Sequence, residues 1–195
     1  MTKIIGLTGG IGSGKTTITR YIETKGIPVY IADDAGKRVM EHQEIIDKVN
    51  ALFNNEVLLA NGLLDRKKIA SIVFNNSEKL AQLNNIVHPA VALDFEDFKE
   101  NNKKAAIIVK ESAVLFESNA YKSCDFTILI TAPEDIRIQR VIKRDGVSKE
   151  EVLNRIKNQM SEEEKELKAN FVVQNIELNN AFLQIDSILD KILIQ

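Results

Sequence analysis

The chain has 195 residues, 44% of them hydrophobic and 28% charged, with a net charge of −2 and a pI near 5.8. This is the balance of a soluble globular protein with one substantial core, and it argues against a nucleic-acid binder that relies on a globally basic surface. A single cysteine, Cys124, excludes an internal disulfide and an all-cysteine metal site, and no apolar run reaches the ~20 residues of a membrane helix or marks a secretory leader, so a cytoplasmic protein is the expectation.

Lys3 to Leu7 predicts a short buried strand ended by glycines. The stretch GLTGGIGSGKTT, Gly6 to Thr17, follows it, and Thr16 to Lys25 predicts a helix that Gly26 ends. Pro28 to Ile31 predicts a second strand. From Asp33 to Asn102 the pattern is mostly helical, punctuated by Asn-Asn pairs at 54-55, 75-76 and 84-85, with Asp65 and Ser77 as N-caps. His88-Pro89 lies inside that pattern, where proline should break or kink the helix. Further strands are predicted at Ala105 to Val109, Phe126 to Thr131 and Phe171 to Val173. Pro133 suits the first turn of a helix running to Arg144, and Ser148/Glu151 and Ser161/Glu164 are capping boxes. Ala181 to Leu193 is an apolar-periodic helix.

Short apolar strands alternating with helices predict an α/β fold, a five-stranded parallel sheet with helices on both faces. The helical run in the first half is too long for one crossover and reads as an inserted subdomain; the charged helices from 148 to 168 read as a smaller one.

Gly9-x-x-x-x-Gly14-Lys15-Thr16 is the complete phosphate-loop spacing. Glycines let successive backbone N–H groups turn into one concavity, and the following helix adds the positive end of its dipole. Lys15 is then the cation for the β- and γ-phosphates, and the Thr16 hydroxyl is the ligand for Mg²⁺. The bland alternative is a glycine-rich strand-to-helix turn. A dinucleotide fingerprint does not fit, because Lys15 stands where its third glycine belongs. No Asn-Lys-x-Asp segment reads guanine, and the chain is short for a motor ATPase, which leaves small kinases. These place an acid after the second strand, facing the acceptor hydroxyl. Asp33 fills that place, and Asp34 reads as a cap of the next helix. Arg137, Arg140 and Arg144, at i, i+3 and i+7, share a helix face. Such a face is either solvated or a clamp on a transferring phosphoryl group, and Arg140 and Arg144 are the candidates for ATP.

Seven segments in order resemble the dephospho-coenzyme A kinase family: GLTGGIGSGKTT, NGLLDRKKIASIVFNN, HPAV, VLFE, CDFTILI, QRVIKRDGVSKEEVLNRIKNQ and ANFVVQN. The resemblance implies transfer of the γ-phosphoryl of ATP to the ribose 3′-hydroxyl of dephospho-coenzyme A. It assigns ATP and Mg²⁺ to Gly10, Ile11, Gly12, Ser13, Gly14, Lys15, Thr16 and Thr17, the lid to Arg140 and Arg144, and the neighbourhood of the adenine to Asn175. Asp33 becomes the base, and Arg66, His88 and Glu117 serve the acceptor side or its scaffold. The implied organisation is one kinase domain, with a nucleotide core at about 1–35, 105–136 and 169–195, an acceptor-binding insertion at about 36–104 and a lid at about 137–168. The partners implied are the two small-molecule substrates, with no nucleic acid, membrane or obligate protein partner. The chain departs from the family pattern at Ile31, where an acid is usual, at Ala113 for proline and at Asn170 for aspartate; Asp33 must act without the first acid. The alternatives are a nucleoside or small-metabolite kinase and a non-catalytic ATP-binding regulatory module.

Overall fold

β1 (Lys3–Thr8) is apolar on both faces because it becomes the middle strand of a sheet. The computed structural model describes residues 2–74 and 76–194, so Asn75 of one predicted punctuation pair lies outside it. The chain divides into two units, Met1–Ile31 with Asn102–Gln195, and Ala32–Asn101.

The first unit carries β1, α1 (Lys15–Thr24), β2 (Val29–Ile31) and, after the second unit, β3 (Ile107–Glu111), β4 (Phe126–Thr131) and β5 (Phe171–Gln174). The sheet has five strands in the order β2-β3-β1-β4-β5, every neighbouring pair parallel, as the alternation predicts. Its register sets Leu7 and Ile31 level with Glu111. Alternate residues Ile5, Leu7, Ile128 and Ile130 meet Ile18 and Ile22 of α1 and Ala181, Ile185 and Leu189 of the last helix, Leu178–Ile194. Strand period and helix period thus converge on one core, in which each aliphatic side chain contributes about 1.5–3 kcal/mol.

β3 is displaced two residues towards the C-terminus from its predicted span. It ends on Lys110 and Glu111, both buried, because the strand is flanked on each side. The apolar run of the sequence stops at Val109.

The second unit is helical: α2 (Ala32–Val39), α3 (Gln43–Leu52), α4 (Arg66–Phe74) and α5 (Ser77–Asn101). Its core gathers Ile45, Val49, Phe53, Val57, Leu64, Ile69 and Leu83. Asp65 caps α4 as predicted, accepting from Lys68 N at 3.0 Å. Asn76 rather than Ser77 caps α5, accepting from Lys79 N at 2.9 Å. Pro89 does not end α5, which runs through it. The carbonyl that loses its partner belongs to Asn85, an exposed residue that water reaches, and packing on α2, α3 and α4 supports the helix. Asp34 is not a cap: α2 starts at Ala32, which places both Asp33 and Asp34 inside the first turn.

After β4 the chain forms α6 (Glu134–Asp145), α7 (Lys149–Lys157) and α8 (Glu162–Lys168), and the closing helix is α9. Pro133 is the N-cap residue of α6, one place before the predicted first turn. The capping boxes at Ser148/Glu151 and Ser161/Glu164 are both formed. Among the described residues no helix is long and apolar enough to cross a membrane.

Candidate functional site

The carboxyl end of the middle strand delivers the chain into the Gly9–Gly14 loop, and burial of Ile18 and Ile22 fixes α1 behind it. Ser13 N donates to Gly10 O at 3.1 Å, and the amides of Thr17 and Ile18 both donate to Gly14 O. Gly12 and Gly14 adopt φ of 80° and 90°, a region that favours glycine. A Cβ on Gly12 would run into the Arg137 carbonyl oxygen, and one on Gly14 into the Asn175 amide. Gly12→Ala is therefore expected to lower stability by about 1–3 kcal/mol and to weaken ATP binding, read by thermal unfolding and by ATP titration. Parent-like values in both would show that the loop tolerates a side chain there.

Lys15 Nζ donates to Gly9 O at 2.8 Å, which folds the cation over the loop. Asn175, at the end of β5, is 3% exposed, and its Nδ2 donates to Ser13 O at 2.8 Å. The loop is thereby fastened to the far edge of the sheet. Arg140 Nη2 donates to the carbonyls of Asn175 and Ile176, at 2.9 and 3.3 Å, and its Nη1 is buried with no hydrogen-bond partner among the described residues.

The three arginines of α6 do different things. Arg137 is buried in an ion pair, Nη1 donating to Glu162 at 3.2 Å, and Thr131 donates to the other oxygen of Glu162. It is part of the fold, since removing one member of a buried pair costs about 3–5 kcal/mol. Arg140 is half-buried. Arg144 is exposed and donates twice to Asp145, at 2.7 and 3.0 Å, and Arg155 donates to the same carboxylate at 2.9 Å. Hydrogen bonds from Arg144, aided by Arg155, hold the Asp145 carboxyl down to about 2.

A cleft of about 680 Å³ opens beside the loop. Of the predicted nucleotide residues, Gly10, Ile11, Gly12, Gly14, Lys15, Thr16, Thr17, Arg140, Arg144 and Asn175 line it; Ser13 lies fully buried. The cleft suits a triphosphate: glycines leave room for a group to approach backbone, three cations reach it, and the Arg140 Nη1 and Ser13 Oγ atoms are buried without partners. The exposed Thr16 hydroxyl is a hard oxygen donor of the kind Mg²⁺ takes, alongside phosphate and water.

Glu117 accepts from Met160 N at 3.1 Å and sits 3.5 Å from Nζ of the fully buried Lys165. In the second unit, Asp33 is exposed, with no ion pair or hydrogen bond among the described residues, whereas Asp34 pairs with Lys37 at 2.7 Å. Arg66 donates to Glu41 at 2.6 Å and lines a recess of about 500 Å³ with Met40, Leu59 and Leu63. His88 is exposed on α5. Gln159, the last residue of the segment QRVIKRDGVSKEEVLNRIKNQ, also lines the cleft, although the resemblance assigns it no role.

Residues 3–180 match the family model described as dephospho-CoA kinase. The chain is similar to the dephospho-CoA kinase of Fusobacterium nucleatum, 40% identical over 172 residues, which cover 88% of this chain and 89% of the relative. It is likewise similar to the dephospho-CoA kinase of Leptospira interrogans, 42% identical over 175 residues, covering 89% and 84%. Among solved structures it is similar to TT1252 from Thermus thermophilus, with a TM-score of 0.88 and 34% identity over 97% of both chains.

Proposed function

The chain belongs to the dephospho-coenzyme A kinase family, and on that premise we propose that it moves the γ-phosphoryl of ATP to the ribose 3′-hydroxyl of dephospho-coenzyme A, with Lys15, Arg140 and Asp33 carrying the step. The observation that carries this reading is the convergence of Lys15, Arg140 and Arg144 on one cleft beside a complete phosphate loop. The loop amides and Lys15 hold the triphosphate, and the hydroxyl of Thr16 would hold Mg²⁺, which would supply neutralisation of the phosphate charge. Arg140 turns from the carbonyls of Asn175 and Ile176 to the transferring group, while Arg144 and Arg155 share Asp145 until the nucleotide arrives. Asn175 supports the loop beneath the adenine side.

Asp33 orients the acceptor hydroxyl and takes its proton. Its support is topological: β2 ends at Ile31, level with Leu7 in the sheet, and Asp33 follows two residues later, after the strand edge where ligands of open α/β sheets bind. The helical unit supplies the acceptor side, with Arg66 and His88 on it. Glu117 is scaffold, holding the Met160 turn. Residues 137–168 act as the lid, in a cytoplasmic enzyme whose partners are its two substrates. A coupled ATP-consumption assay with dephospho-coenzyme A as acceptor tests the assignment; turnover only with another hydroxyl acceptor would sink it.

Arg140→Ala is expected to lower kcat by roughly 10²-fold, because a guanidinium on the moving phosphoryl acts chiefly in the transition state. Arg140→Lys should recover little, since an ammonium lacks the planar fork. A rise in KM for ATP with kcat unchanged would reduce Arg140 to a ground-state contact.

A further inference from the structure

We propose that Gln159 is a positioning residue for the transfer: its side-chain carbonyl holds the Ile11 amide and so sets the orientation of the phosphate loop from the lid. Ile11 N donates to Gln159 Oε1 at 2.9 Å, across 148 residues of chain. The Ile11 side chain meanwhile packs against Ile138, Val141 and Val152, so this loop residue is held by α6 and α7 through both backbone and side chain. Gln159 lies in the turn after α7, where its own amide donates to Ile156 O at 3.0 Å. The next residue, Met160, donates to Glu117, whose carboxylate faces the buried Lys165. The turn is therefore anchored to the segment after β3 on one side and grips the loop on the other.

Gln159 also lines both the 680 Å³ cleft and a second cavity of about 520 Å³. A neutral amide suits that place. Its oxygen satisfies the Ile11 N–H without adding charge beside a triphosphate. A carboxylate of nearly the same shape would accept the same bond but repel the phosphates. A thioether of similar length would leave only a weak acceptor, add no charge, and loosen the hold on the Ile11 peptide.

The proposal rests on the reading that the cleft takes ATP, and two variants of the full chain test it. Gln159→Glu is expected to weaken ATP binding about tenfold, less at high salt, with kcat at saturating ATP reduced no more than about threefold. Gln159→Met is expected to lower kcat about tenfold with ATP affinity within about threefold of the parent, since a misaligned loop costs rate more than binding. A merely structural tether would shift the thermal midpoint and leave both parameters of the folded enzyme alone. Absence of the opposite split, whether through parent-like kinetics in both variants or equal losses in both, overturns the proposal. If Gln159→Met unfolds, the ATP affinity and salt response of Gln159→Glu decide alone. A parent that binds ATP yet does not phosphorylate dephospho-coenzyme A defeats the acceptor assignment, and ATP titration of Gln159→Glu still decides this one.

Discussion

Lys15→Ala is expected to lower turnover by roughly 10³-fold or more while the protein keeps its fold, because the one cation inside the phosphate loop serves the phosphates rather than the core. The Lys15 ammonium lies over the loop, on the Gly9 carbonyl, and its helix is fixed independently by Ile18 and Ile22. Losing one such hydrogen bond costs about 1 kcal/mol of stability, a small share of what a domain of this size holds. In a site closed from water the charge is worth far more to a phosphoryl group in transfer, whose negative charge is spread over its three outer oxygens while the leaving oxygen gains charge. The measurement is kcat by coupled assay, with circular dichroism and a thermal melt on the same preparation. Equal turnover in variant and parent would end the phosphate-loop reading.

Asp33→Asn is expected to cut kcat by roughly 10²–10⁴-fold with ATP affinity little changed, the range for loss of a positioned base. Asp33 and Asp34 stand side by side in the first turn of α2, where either carboxylate favours the helix dipole, so helix stability does not separate them. Their partners do. Asp34 is engaged with Lys37, while Asp33 is exposed with no partner among the described residues. A carboxylate kept out of local pairs is available to a substrate hydroxyl. In a loose transition state much of its effect is orientation, and asparagine keeps the shape while removing charge and basicity. Asp34→Asn should stay within about threefold of the parent, since an exposed ion pair contributes ~0.2–1 kcal/mol. A crippled Asp34→Asn beside a mild Asp33→Asn would transfer the role to Asp34. With isoleucine at position 31, no acid in the strand itself can share the work.

The sheet was readable because its three inner strands are buried on both faces and so appear as apolar runs; the phosphate loop was readable because its chemistry fixes residue types at fixed spacing. Both capping boxes were found for the same local reason. What stayed hidden depends on distant neighbours. Lys110 and Glu111 look like the end of a strand until strands on both sides are known. Asn76 and Ser77 are adjacent residues of equal capping aptitude, and only the observed bond chooses between them. Pro89 reads as a stop, yet three helices pack on the one it interrupts. The arginine row looked uniform in sequence, but Glu162 claims Arg137 in a buried ion pair and Asp145 claims Arg144, leaving Arg140 as the member that both lines the cleft and has a buried donor without a partner among the described residues. Gln159 was hidden for the same reason: the amide it holds is near the other end of the chain.

The bond from Asn175 to Ser13 spans 162 residues of sequence. During synthesis the loop emerges from the ribosome among the first segments, and the side chain that fastens its carbonyl is among the last. At ~5–20 residues per second that interval is roughly 8–32 seconds. Through it the Ser13 carbonyl of the nascent chain lacks the side chain that fastens it to the edge of the sheet. The cleft beside the phosphate loop is therefore a late product of translation: a chain stalled before β5 has already released the whole helical unit, Ala32–Asn101, but lacks the side chain that fastens Ser13.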